Sequence, residues 1–100
     1  MARAITHLDC CRSPSLEVVR VVSGHPRDSQ TVERCVTCQA HWFVRSLERV
    51  VAGEGLDTTT WWVRLTAAEA SGRPDLEKLR DRAGFMEDLA GLIRIESMPW

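Results

Sequence analysis

The residues with the most chemistry to offer are four cysteines and three histidines. Five of these seven fall in two short clusters, His7-Leu-Asp-Cys10-Cys11 and Cys35-Val-Thr-Cys38. Thiolates and imidazole nitrogens are the usual ligands of Zn2+. A structural site takes four of them in a tetrahedron, often delivered as pairs two residues apart, because a tight turn can aim two such side chains at one point. Cys35-x2-Cys38 is one such pair and His7-x2-Cys10 is a second. The 24 residues between Cys10 and Cys35 leave room for a hairpin, slightly more than the usual separation of two pairs. The spacing predicts a zinc site built from His7, Cys10, Cys35 and Cys38. Cys11 is an alternate for Cys10, through His7-x3-Cys11, and His41 is another, through Cys38-x2-His41. A set of all four cysteines ranks last on the expectation that adjacent side chains diverge.

Four protein ligands leave no position for water, so such a site is structural. Competing uses of the cysteines fit less well. Disulfides need an oxidising compartment, and the start of the chain lacks the apolar segment of a secretory signal. A thioredoxin-like pair needs a strand leading into a helix, whereas Cys38 leads into the strand-like run His41-Trp-Phe-Val. The His-x-Glu and Pro-Cys-x2-Cys of a zinc deaminase are missing. No Ser/His/Asp arrangement, phosphate-cradling glycine loop or defined carboxylate pair occurs, so an enzyme is not expected.

The two clusters resemble the knuckles of the zinc-ribbon family, the rubredoxin-like turns of small bacterial-type proteins. In that family two Cys-x2-Cys-Gly turns flank a β-hairpin and a further strand follows. The likeness covers roughly residues 5 to 65. It departs from the pattern at His7, where Cys is commoner, and at Cys11 and Gln39, where glycine usually relieves the turn. The resemblance implies a closed Zn2+ site in a small antiparallel sheet. It also implies nucleic acid or transcription machinery as one class of partner.

The elements that would position these clusters read as follows. Leu16–Val22 is rich in β-branched residues and reads as a strand. Gly24 and Pro26 break it, and residues 30–34 return to the second knuckle. Residues 41–51 suit either a strand or a helix, with aromatic and β-branched content favouring the strand. Thr58–Leu65 is the clearest strand. Thr66 and Glu69 form a capping box for a short helix ending near Ser71-Gly72. Pro74 opens a second helix, in which Leu76, Leu79, Ala83, Met86, Ala90 and Ile93 recur at steps of three and four. Phe85, Leu89 and Leu92 widen that stripe past Gly84, and residues 97–100 read as a loose tail. The expected fold class is therefore α+β, with a zinc-ribbon sheet of about four strands in residues 1–66. A C-terminal extension of one or two helices, residues 67–100, is expected to pack on it.

The chain has 100 residues and a net charge of −1. Residues 1–52 carry seven arginines and five acids, and residues 53–100 six basic and nine acidic side chains. Neither half has the charge excess of a nucleic-acid binder. No apolar run approaches the ~20 residues of a membrane helix, so the expected location is cytoplasmic. Trp61 and Trp62 must point to opposite faces of their strand. Together with Arg45, Arg49 and Arg64 they are the candidate binding surface. The expected function is that of a small zinc-binding adaptor or regulator acting through protein contacts. A nucleic-acid-binding ribbon is one alternative, and a thiol switch centred on Cys11 is the other.

Overall fold

A computed structural model describes residues 2–53, 55–88 and 90–97. The described residues form seven strands: β1 (Arg3–Ala4), β2 (Ser15–His25), β3 (Asp28–Cys35), β4 (His41–Val51), β5 (Gly55–Leu65), β6 (Gly84–Glu87) and β7 (Ile93–Glu96). Two single-turn helices, α1 (Ala67–Ser71) and α2 (Leu76–Arg80), lie between β5 and β6. Each strand pairs antiparallel with the next, giving one sheet in the order β1 to β7. The sheet curls into a half-barrel. Two register shifts in β2, at Val18/Arg20 and Val21/Ser23, are bulges of the kind that add twist and bend a strand.

This architecture overturns the expected α+β ribbon of about four strands with one or two C-terminal helices. The sheet is larger and the helices are five residues each. The error lies in the stripe from Leu76 to Ile93. Only Leu79 and Met86 of that stripe reach the core, while Ala83 and Ala90 are exposed. Past Ala83 the chain alternates instead. Phe85 pairs in register with Trp62 and Met86 with Trp61, so they face opposite sides of the sheet. Gly84 makes this possible, since a Cβ there would lie 2.6 Å from the Trp62 carbonyl oxygen. Glycine marks a close approach of two strands rather than a weak point in a helix. Asp88 and Gly91 close the β6–β7 hairpin, with the Leu92 amide donating to the Asp88 carboxylate at 3.1 Å and Gly91 at φ 80°. Leu89 and residues 98–100 lie outside the described residues.

Strand pairing carries apolar side chains to both faces of the sheet. On one face Val32, Phe43, Trp61, Val63, Leu65 and Met86 are buried beneath Ala70 of α1 and Leu79 of α2. On the other, Leu16, Cys35, Trp42, Val44 and Trp62 are buried with Ile5 and Leu8 of the N-terminal segment. Each face therefore needs its own cover, and the chain supplies one from each end. Trp61 and Trp62 take opposite faces, and both are almost fully buried. The C-terminal helices pack on the Trp61 face, and the N-terminal segment covers Trp62.

α1 is held by the capping box that the sequence announces: the Glu69 amide donates to the Thr66 hydroxyl, and the Thr66 amide donates to the Glu69 carboxylate. Glu69 also accepts two hydrogen bonds from Arg82, both 3.0 Å, and Arg82 donates to the Arg64 carbonyl. One carboxylate thereby ties α1, the end of α2 and β5 together. The Arg82 guanidinium, followed by the Thr66 backbone, brings the Glu69 pKa down from its ordinary 4.5 to about 2. Since folding lowers this pKa, its contribution is complete above pH 4.5 and is lost as the pH falls toward 2. Replacing Glu69 by Gln should cost about 1 kcal/mol at neutral pH, a modest figure because both partners are partly in water. Urea titrations across that pH window should show a flatter acid limb for the variant. An acid limb identical to that of the wild type would contradict this role.

Candidate metal centre

The centre is built where two irregular segments meet at the β2–β3 end of the sheet. β3 ends at Cys35, whose amide donates to the Ala40 carbonyl at 2.7 Å and whose carbonyl accepts from the Gln39 amide at 2.8 Å. These bonds close the turn that carries Cys38. Gln39 has φ 68°, the one left-handed residue other than glycine among the described residues. Glycine usually occupies that position of a knuckle, and here glutamine adopts the glycine conformation at a cost of about 1–2 kcal/mol.

The first cluster is brought to this turn by hydrogen bonds as well as by packing. Val36 donates its amide to the Ser15 carbonyl at 2.8 Å, and the Thr37 hydroxyl donates to the Ser13 carbonyl at 2.8 Å. The Ile5 amide donates to the Pro14 carbonyl at 3.0 Å. The segment before β2 thus folds back on itself, and residues 10–13 form a series of bends.

The ligating atoms of Cys10, Cys11, Cys35 and Cys38 all lie within 4.8 Å of one another. Cys35 is buried, Cys10 and Cys11 are half-buried and Cys38 is exposed. All four are free thiols, and the Cys11 and Cys35 sulfurs are 3.8 Å apart. Zinc–sulfur bonds of 2.3 Å place the corners of a tetrahedron about 3.8 Å apart, so this pair already has the required separation. The expectation that neighbouring cysteines diverge does not hold here. It describes an extended chain, and at the bend both side chains turn to the same side.

The electrostatics of the group follow from its crowding. Burial, with hydrogen bonds to Cys38 and Cys35, pushes the Cys10 thiol up to about 12, although the Trp42 indole acts in the opposite sense. Burial also raises Cys11. At Cys35 burial acts upward too, but backbone hydrogen bonds from Ser15, Cys38 and Thr37 outweigh it and bring the pKa down to about 6. The turn is therefore arranged to hold a thiolate at Cys35, beside thiols that resist ionising next to it. A bound dication reverses that resistance, since coordination deprotonates a thiol outright.

The other candidate residues lie elsewhere. His7 is not part of the sulfur group. Its ring packs against Trp62, with centroids 4.5 Å apart and planes at 73°, and lies 5.7 Å from Phe85. Burial lowers its pKa, against the pull of Glu87, so the ring is neutral at pH 7. His41 pairs in register with Arg34 and Leu65 on the Phe43 side of β4. Arg45 is buried on that face and donates two hydrogen bonds of 2.7 Å to Asp28. Arg49 lies 3.5 Å from Asp57. Arg64 is on the opposite face, its guanidinium 5.6 Å from the centre of the Trp42 ring. The structure thus divides the three arginines between two faces.

No protein-family model, curated protein or solved structure matches the chain. The cysteine cluster is compatible with a zinc knuckle, and that compatibility rests on geometry alone.

The strained turn gives a direct check of the knuckle geometry. Gln39→Gly should raise stability by about 0.5–1 kcal/mol, the relief of a left-handed side chain less the added freedom of the unfolded chain. A higher urea midpoint with an unchanged slope is the expected outcome. A lower midpoint would show that the Gln39 side chain contributes more than its backbone costs.

Proposed function

We propose that this protein is a zinc-dependent, non-enzymatic binding protein in which Cys10, Cys11, Cys35 and Cys38 hold one Zn2+ in a closed site. The single observation that carries this reading is the convergence of four sulfurs from two segments 24 residues apart in sequence. Soft thiolate ligands in a tetrahedron favour zinc among the abundant divalent metals, and four of them leave no vacancy for a reacting water. The site's task is to fasten the N-terminal segment across the Trp62 face of the sheet.

Magnitudes support that task. Ordering the nine residues from Ile5 to Ser13 costs about 9–18 kcal/mol in backbone entropy. Burial of Ile5 and Leu8 returns about 3–6 kcal/mol, and the His7–Trp62 contact about 1 kcal/mol. The shortfall of about 2–14 kcal/mol is one that a structural zinc site, at roughly 10–16 kcal/mol, can cover. The metal would thus decide whether the Trp62 face is covered. The partner is a protein, met through the sheet. Val18, Val21 and Ile95 are more than half exposed on the Trp62 face, more aliphatic surface than a strand facing only water requires. A reducing compartment such as the cytoplasm suits four free thiols. No helix of the described residues is long and apolar enough to cross a membrane.

The test is metal content with single variants under reducing conditions. Wild-type protein should carry one zinc per chain, and Cys10→Ser, Cys11→Ser, Cys35→Ser and Cys38→Ser should each lose most of it. His7→Ala should keep it and lose only stability. Chelation should raise amide hydrogen exchange across residues 5–13 while the centres of β4 and β5 stay protected. A wild type free of zinc, or a His7 variant that loses it while Cys11→Ser does not, would overturn the proposal.

A further inference from the structure

On the Trp61 face of the sheet, opposite the side on which Cys35 is buried, lies a cavity of about 240 Å3. No residue of α1 or α2 lines it, so the helices leave this stretch of the face open. Its floor is apolar. Trp61 and Met86 are a register pair on β5 and β6, and Leu47 of β4 lies beside them. An enclosed apolar cavity of about 150 Å3 takes benzene, and drug-sized ligands need about 300 Å3 or more. The volume here therefore suits a molecule of one or two rings.

Few polar groups surround that floor. Thr59 pairs in register with Leu47 and is 8% exposed. Its hydroxyl makes no hydrogen bond to another described residue, yet its oxygen is not sealed from solvent. It is thus within reach of whatever fills the cavity. Arg49 of β4 and Arg94 of β7 stand at the rim. Each guanidinium already has a carboxylate. Asp57 lies 3.5 Å from Arg49, and Glu96, also at the rim, lies 3.2 Å from Arg94. The four charges cancel.

We propose that this cavity binds a small, uncharged aromatic molecule bearing a hydroxyl group, a simple phenol, with its ring on the Trp61–Met86 floor and its hydroxyl on Thr59. The rim selects against charge. An added cation meets two guanidinium groups, and an added anion must displace Asp57 or Glu96 from them. A neutral ring does neither. Guanidinium groups attract the face of an aromatic ring, and a methionine sulfur such as that of Met86 favours contact with one. A saturated ring gains neither contact. A plain hydrocarbon would bury the Thr59 hydroxyl without a partner, whereas a phenol O–H can donate to it or accept from it. The lining belongs to β4, β5, β6 and β7, so the proposal does not rest on the metal centre.

The test is calorimetric titration of the full, reduced chain with p-cresol, for which saturable binding is expected. The saturated counterpart 4-methylcyclohexanol should bind about fivefold more weakly or worse, and toluene about threefold more weakly or worse. Tyramine and 4-hydroxybenzoate, which add a positive and a negative charge to the same ring, should each bind more weakly than p-cresol. Thr59→Val should lower the affinity for p-cresol about threefold or more and leave that for toluene unchanged. Amide chemical-shift mapping on the wild type should centre on Leu47, Thr59, Met86 and Arg94, and it decides the matter if Thr59→Val fails to fold. No saturable binding, equal binding of p-cresol and 4-methylcyclohexanol, tighter binding of either charged ring, or shifts centred elsewhere would overturn the proposal.

Discussion

Four sulfur atoms meet at one end of a seven-stranded sheet, where the N-terminal segment that covers one face reaches the end of β3. A sheet with aromatic residues on both faces cannot leave either face in water. One face is closed by two short helices, which a capping box and an arginine–carboxylate pair hold in place. The other is closed by a nine-residue segment with little regular structure and only two buried aliphatic side chains. Such a segment cannot offset its own loss of conformational freedom by packing alone. Its attachment to the knuckle turn is what allows Trp42 and Trp62 to be core residues, and the rest of that face depends on it.

The two-faced sheet also accounts for where charge can be tolerated. Arg45 is buried on the helix side with Asp28 holding its guanidinium from β3. Glu33, on the other face of β3, is equally buried and accepts a hydrogen bond from the Thr31 hydroxyl. His7 lies on the same face as Glu33. Neutral and packed edge-on against Trp62, it acts as an aromatic side chain in the cover.

Much of this was legible in the sequence where a local rule sufficed. The β-branched runs marked β2, β4 and β5, and the Thr66–Glu69 box marked α1 to the residue, because strand propensity and capping are properties of a few neighbours. The cysteine clusters were legible as a pair of turns compatible with a metal site for the same reason. What the structure changed was the expected divergence of Cys10 and Cys11 and the reading of the last quarter of the chain. The all-cysteine set was ranked last because adjacent side chains were expected to diverge, and residues 10–13 are bent. The stripe from Leu76 to Ile93 has helical spacing by coincidence. Gly84 sits in it because β6 approaches the Trp62 backbone too closely for any side chain, and that constraint is set by a strand some twenty residues earlier.

We propose that a metal fastens this cover to the sheet face, which would make the surface depend on metal supply and thiol state. That account stands or falls on the identity of the atoms around the ion. X-ray absorption at the zinc edge on the purified, reduced protein measures it directly. The account expects a single shell of four sulfurs at about 2.3 Å. A shell containing a nitrogen or oxygen at about 2.0–2.1 Å would contradict it, returning His7, His41 or a water to the site and reopening the position that the four sulfurs close.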